Sequence, residues 1–400
     1  MPMSHVMGNL ARRLTAVGLV LLGAVYVAWL GFGVQTTGDY PRLFAASMGS
    51  LLAGHLGPFF HQLPEDGAGG SVLLRAPGAL LGKLFVGGQL AEFRFGALES
   101  VLAVGGLGLW LAREMRSAAR PLLSRAAVIG LCVLIPALLD AIFFGHPEEP
   151  LGAALCVGAV LLADAEEPTL AGVALGLAII NKPWGIFAIA PTLLAARNGR
   201  VRIAAVAGGI AAAWFATAFL AAPAHFAQSL DMLSSVAHPQ ELWWPLAHLS
   251  APAGITPAYF LPGVVTSHAR ELAVLVALGL AIPLASRAGR TTDDCLALLA
   301  LVFLVRCLLD PNDHVYYHVP FLIALVAWEA RTRGAPVLAL LATGLLWLVF
   351  HTVSGVAGLN VQFAAYVAVT VPFVVVLLGP VLGRTAPDRR VAPSRTASAQ

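Results

Sequence analysis

Four short polar stretches interrupt long apolar runs, and their residue types suit chemistry on a phosphate-bearing sugar. The densest is "RCLLDPNDHVYYHVPF", Arg306 to Phe321, which sets Arg306, Asp310, Asn312, Asp313, His314, Tyr316, Tyr317 and His318 within 13 residues. Aromatic faces and Asp/Asn groups match the apolar faces and vicinal hydroxyls of a pyranose. Arg306, about one helical turn below Asp310, can pair with it or face a lipid phosphate. "GHPEEP", Gly145 to Pro150, places His146, Glu148 and Glu149 in a six-residue gap, with Asp140 five residues earlier. "NKPWG", Asn181 to Gly185, holds Lys182, one of only two lysines. A compact ammonium beside acidic residues suits a phosphate. "TTGDYPRLF", Thr36 to Phe44, puts Asp39 and Arg42 on either side of a Tyr-Pro turn. A carboxylate there can take a proton from a hydroxyl, and the arginine can hold an anion.

Each stretch also has a plain structural reading. Asp39 and Arg42 can form a surface pair in a solvated loop, and "GHPEEP" a polar turn with proline stops. Lys182 can snorkel to an interface, and the Tyr316–Tyr317 region can be an aromatic belt with a polar turn. A metal is not implied. No HExxH or H-x-x-x-H helix occurs, and the His314–His318 spacing follows Pro311 in a turn. The expectation is a metal-independent site with no cofactor, which leaves room for a divalent cation without calling for one. No GxSxG elbow, Walker loop or GxGxxG fingerprint is present either.

Composition decides the surroundings. Of 400 residues, 58% are hydrophobic and only 11% charged, with mean hydropathy +0.82. Soluble domains run at about 25% charged, so this is an integral membrane protein. The formal charge of +3, without an arginine-rich run interleaved with aromatics, points away from nucleic acid. Cys132, Cys156, Cys295 and Cys307 all sit in apolar runs without CxxC spacing, as small core residues do.

Apolar runs predict spans at 14–34, 96–112, 126–144, 151–163, 170–181, 185–196, 203–222, 270–286, 295–309, 319–330, 336–353 and 361–382. The first is longer than a signal-peptide core and lacks a cleavage site, so it is expected to be retained. The expected fold class is an all-α integral membrane protein, a bundle of about 12 transmembrane helices (10 to 12). With a cytoplasmic N-terminus, 17 of the 24 basic residues fall in inner segments, as positive-inside bias requires. That orientation makes the C-terminus cytoplasmic too. It leaves residues 35–95 as a long extracytoplasmic first loop in a single polytopic domain, 1–382, and 383–400 as a disordered cytoplasmic tail. Ten of the eleven histidines and all four polar stretches then lie at the outer side. Ionisable groups at membrane depth are costly and tend to be functional.

Taken together these residues resemble the GT-C-type glycosyltransferases, multi-spanning enzymes that use polyprenyl-phosphate sugars on the extracytoplasmic face. Asp39 resembles their acidic residue in the first outer loop. "GHPEEP", followed by short spans and "NKPWG", looks like the actinobacterial polyprenol-phosphate-mannose-dependent alpha-mannosyltransferase branch, and "DPNDHVYYHVPF" is similar to a late outer loop of that branch. The resemblance covers about residues 10–380. It implies Asp39 as general base and Lys182, with Arg306 and Arg42, as donor-phosphate ligands. It implies a sugar and acceptor pocket lined by His146, Glu148, Glu149, Asp310, Asp313, His314, Tyr316, Tyr317 and His318. The implied partners are a polyprenyl-phosphate sugar, most simply of mannose, a lipid or glycan acceptor and the bilayer of the plasma membrane. Some relatives carry an acidic pair in the first loop; here Tyr40 follows Asp39, which fits metal independence. One base without a facing carboxylate nucleophile implies single displacement with inversion. The competing reading is a transporter or flippase for a lipid-linked sugar or small anion, whose polar residues would spread through the membrane depth.

Overall fold

The computed structural model describes residues 34, 37–64, 69–231, 236–250 and 258–383, with the side chains of 228–231 left aside. The expected first span and C-terminal tail lie outside these residues, Val34 and Gly383 excepted. The described chain is helical apart from one hairpin, β1 (His248–Ser250) antiparallel to β2 (Ala258–Phe260).

Three short helices form the centre: α8 (Glu148–Asp164), α14 (Thr292–Leu309) and α15 (Val319–Thr332). Val319–Ala330 of α15 and all of α14 beyond Asp293 are buried, as is most of α8. Apolar residues occupy every face of these helices, the pattern of a helix surrounded by protein. Two further short helices, α9 (Pro168–Asn181) and α10 (Ile189–Ala195), pack against α8. At about 1.5 Å per residue such helices fall short of a bilayer's roughly 30 Å core, and their burial removes the need to match it.

Longer helices surround them. Among the described residues, six segments are long and apolar enough to cross a membrane. They are α5 (Gln89–Ser117), α6 with α7 (Leu122–Phe143), α11 (Arg200–Ala221), α13 (Gly263–Ser286), α16 (Val337–Val356) and α17 (Leu359–Val381), and the short α12 (Pro223–Asp231) follows α11. Their outward faces expose Leu102, Leu123, Leu220, Leu275, Leu340 and Val375, side chains that suit lipid. The segment Leu122–Phe143 breaks between α6 (Leu122–Leu134) and α7 (Pro136–Phe143) because Pro136 has no N–H to continue the ladder, and Ile135 before it is extended.

The stretch 35–95, expected as a loop, is mostly helical. Three short helices, α1 (Tyr40–Leu43), α2 (Ala45–Leu52) and α3 (Leu56–His61), lead into α4 (Gly69–Phe85), and α5 starts at Gln89. Gly78 and Gly82 let α4 lie directly on α5, since a Cβ on either would come within 2.5 Å of an α5 carbonyl oxygen. Close helix packing needs the small residues of this stretch.

At one end of the central helices, Arg331 fixes their register. Its guanidinium reaches Asp293 of α14 (2.7 Å), Glu114 of α5 (2.9 Å) and Asp164 of α8 (3.1 Å). The polar stretches gather at the other end.

Candidate active site

The start of α8, the end of α9 and the α14–α15 connection meet at that other end. Glu148 and Glu149 occupy the first turn of α8, where the helix dipole favours carboxylates, and both are fully buried. Asn181 ends α9 and donates its amide to the Glu148 carbonyl oxygen at 2.8 Å. Lys182 follows in extended backbone, so its ammonium reaches Glu148 Oε1 at 3.3 Å and Glu149 Oε1 at 3.0 Å. Arg306, in the last turn of α14, lies 3.8 Å from Glu149 Oε2 and 3.9 Å from Asp310 Oδ2. Its guanidinium sits over the Tyr317 and Trp184 rings, 4.7 and 5.4 Å from their centroids. Glu148, Lys182, Glu149, Arg306 and Asp310 thus form a buried chain of alternating charge across three helices. A buried charge is tolerable only when paired, and each member supplies its neighbour's partner.

Asp39 stands at the solvent side of this chain. Its turn docks on the end of α7: the Asp39 N–H donates to the Phe144 carbonyl at 2.8 Å. Two glycines permit the contact. Gly145 has φ +88°, and a Cβ on it would lie 2.6 Å from Thr37 O and 2.7 Å from Tyr40 N. Gly38 has φ +50°, and its Cβ would lie 2.2 Å from the Phe144 carbonyl carbon. The docked turn brings Asp39 Oδ2 within 3.4 Å of His146 Nε2, while His146 Nδ1 lies 2.8 Å from Glu148 Oε1. Both ring nitrogens therefore face carboxylate oxygens, the arrangement of an imidazolium donating twice. Tyr316 stacks on the same ring at 4.7 Å and fixes its plane. Asp39 keeps 45% of its side chain exposed, and Arg42, 3.7 Å away, keeps 73%. Gly145→Ala is expected to lower turnover by about 10²-fold, the typical cost of a misplacement near 1 Å, with helical circular dichroism retained. Wild-type turnover in that variant would show that the docking does not position Asp39.

Beyond Tyr316 the ring stack continues to His314 (5.3 Å) and then to His238 (5.2 Å). Burial pushes His314 down to about 4, and the nearby Lys182 charge acts in the same direction. Burial lowers His238 as well. Both are neutral at pH 7 and can donate and accept hydrogen bonds at the rim.

Behind the rim lies a second buried group. Asp313 Oδ2 accepts from the Tyr366 hydroxyl at 2.8 Å, and His318 Nε2 lies 3.2 Å from the same hydroxyl. The Asp313 N–H donates to Glu241 Oε1 at 3.4 Å. Burial raises Asp313 well above the usual carboxylate range, against the Tyr366 hydrogen bond. Burial likewise raises Glu241, to about 9, against backbone donors at His238 and Asp313. A raised pKa in the fold contributes stability that is complete below the unfolded value near 4.5 and is lost as pH climbs through 9. Melting temperature is accordingly expected to fall more steeply between pH 5 and 9 in the wild type than in Glu241→Gln, with the variant ahead by a few degrees at pH 9. Parallel curves would show that Glu241 is ionised in the fold.

The structure thus divides the expected site residues. Asp39 and Arg42 are open to solvent, and His314 and Tyr317 are half-buried. His146, Glu148, Glu149, Lys182, Arg306, Asp310, Asp313, Tyr316 and His318 are buried. Lys182, expected to face a phosphate, is engaged by Glu148 and Glu149. Asp140, one turn below the hexapeptide, pairs instead with His351 at 3.2 Å. Cys307, Asp313 and His318 bring potential metal-ligand atoms within 4.8 Å of one another. In the structure these atoms bond to protein: the Cys307 thiol donates to Tyr317 O at 3.2 Å, and Tyr366 joins the other two. All four cysteines are free and buried. Sequence alone does not single out His238, Glu241 and Tyr366 as site residues, because they come from a loop and a span 48 or more residues from their partners. The one available signal was "HPQELWW", a polar group beside two tryptophans.

Residues 69–311 match the model of a protein family described as Glycosyltransferase family 87. No curated protein matches the chain.

Proposed function

The chain belongs to glycosyltransferase family 87, and from that premise we propose that it transfers a hexose, most simply mannose, from a polyprenyl-phosphate donor, with Asp39 as general base. As a membrane glycosyltransferase it takes a sugar donor and an acceptor. The observation that carries the residue assignment is the Asp39–His146–Glu148 alignment, which leaves one carboxylate exposed and backs it with a buried imidazole–carboxylate pair. Asp39 precedes the matched residues, so its role rests on this geometry.

In this reading the acceptor hydroxyl attacks the anomeric carbon and a new glycosidic C–O bond forms. The hydroxyl proton passes to Asp39, the bond from the anomeric carbon to the phosphate oxygen breaks, and polyprenyl phosphate leaves. The phosphate is a competent leaving group, so the protein's tasks are deprotonation and charge stabilisation. Arg42, exposed beside Asp39, supplies a solvent-facing positive charge next to the base. His146, held by Glu148 and stacked on Tyr316, orients the Asp39 carboxylate. His314 and His238 offer neutral hydrogen-bonding groups to sugar hydroxyls, and Tyr316 and Tyr317 offer ring faces. With one base and no carboxylate across from it, displacement is single and the anomeric configuration inverts. The short central helices also cross the membrane, giving 10 to 12 spans with both termini cytoplasmic and the site at the extracytoplasmic face of the plasma membrane. No step calls for a metal.

The test is transfer by purified protein from synthetic polyprenyl-phosphate mannose, glucose or arabinose to a lipid extract, with and without chelator. Chelator-insensitive transfer from the mannose donor is the expected result. Uptake or flipping of a lipid-linked sugar in proteoliposomes without transfer would favour the transporter reading instead.

A further inference from the structure

At the end of the bundle opposite Asp39, a cavity of about 450 Å³ opens between the start of α11, the end of α10 and the α13–α14 turn. Four arginines line it: Arg197, Arg200, Arg290 and Arg331. Two carboxylates, Asp164 and Asp293, line it too, but Arg331 already holds both, and Asp164 also accepts from the Thr292 hydroxyl at 2.5 Å. Arg197, Arg200 and Arg290 have no carboxylate partner among the described residues. Two of them are nevertheless held in place. Arg290 donates from Nε to the Leu194 carbonyl at 3.1 Å, and Arg200 from Nε to the Ala196 carbonyl at 3.1 Å. Arg290 also donates from one terminal nitrogen to the Ala285 carbonyl at 3.5 Å, and its other terminal nitrogen, like both of those of Arg200, keeps N–H donors for another acceptor. Arginines that serve only to orient a membrane protein can splay into water. Here four guanidiniums face two carboxylates, and the excess of two positive charges in one concavity concentrates positive potential.

We propose that this cavity binds a phosphate-bearing anion, the headgroup of an anionic phospholipid in the adjoining leaflet. Paired N–H donors of arginine match phosphate oxygens in a fork geometry that a lysine cannot reproduce. The cavity adjoins the first turn of α11, whose Val201 is 84% exposed on the outward face. A lipid seated there keeps its chains along that apolar face while its phosphate enters the cavity. The helix N-terminus at Arg200 adds backbone N–H groups of the same polarity. The bound headgroup ties α10, α11 and the α13–α14 turn together beneath the central helices. This site is independent of the glycosyl-transfer assignment, and its test reads binding and stability.

The full-length protein is placed in nanodiscs of phosphatidylcholine alone, phosphatidylcholine with phosphatidylglycerol, or phosphatidylcholine with glycerol phosphate in solution, and melted. Phosphatidylglycerol is expected to raise the melting temperature, with a half-maximal lipid fraction that rises about fivefold for each arginine removed in Arg197→Gln and Arg197→Gln/Arg290→Gln. Arg197 makes no described contact, so its single variant tests the site without disturbing the fold. If soluble glycerol phosphate alone gives the shift and the variants lose it, the cavity holds a phosphate taken from solution. No shift with either ligand, or an equal shift in wild type and variants, overturns the proposal.

Discussion

Asp39→Asn is expected to lower kcat for sugar transfer by about 10²–10⁴-fold, the range for removing a general base, with melting temperature and elution from a sizing column unchanged. The amide keeps the size of the carboxylate and can still hydrogen-bond His146 Nε2, but it cannot accept the acceptor's proton. Asp39 is 45% exposed, so losing its charge has little effect on stability. The donor KM should move little, because the lost interaction forms only as the hydroxyl gives up its proton. The measurement is single-turnover transfer from a radiolabelled donor, alongside a thermal melt. Transfer within a few-fold of wild type would remove Asp39 from the mechanism, and a collapsed melting curve would mean that its role is structural.

The second large effect concerns Lys182. If this lysine held the donor phosphate, Lys182→Met would raise the donor KM and leave the fold intact. The geometry predicts the reverse. Its ammonium lies within 3.3 Å of two carboxylates that solvent does not reach, and removing it leaves Glu148 and Glu149 beside each other, each short of one positive partner. Breaking a buried pair by removing one partner costs about 3–5 kcal/mol, so Lys182→Met should express poorly and melt many degrees lower. Adding Glu149→Gln removes one of the stranded charges and should recover part of the loss. That recovery separates a stability role from a binding role. A single variant with an unchanged melting curve and a raised donor KM would identify Lys182 as a phosphate ligand.

These two residues show how unevenly the site could be read in advance. Asp39 was recognisable because an acidic residue beside an arginine, between apolar stretches, is unusual in a chain with so few charges. Glu148, Glu149 and Lys182 stood out for the same reason, and they do meet in space. Their division into an exposed carboxylate and a buried charge network depends on depth, which a one-dimensional pattern does not carry. "GHPEEP" reads as a polar turn by composition. It is fully buried because the α1 turn covers it from one side and the α14–α15 connection from the other. Nothing local marks Tyr366, and Glu241 is marked only by the polar residues beside two tryptophans in "HPQELWW": each becomes part of the site only by packing against Asp313 or its hydrogen-bond partner.

The sequence by itself determined the elements. Apolar run lengths located every helix from α5 to α17 that borders the site, to within a few residues at most ends, because a segment in a membrane must satisfy its own backbone hydrogen bonds and so declares itself by composition. The stretch 35–95 escaped that logic: its glycines and small side chains suit tight helix contact, and only the partner helix reveals why they are there. Tertiary structure alone decided which short helices lie at the centre, which carboxylate stays open to solvent and which cations are already neutralised. Those are properties of neighbours from distant parts of the chain, set by packing and by the requirement that buried charges pair.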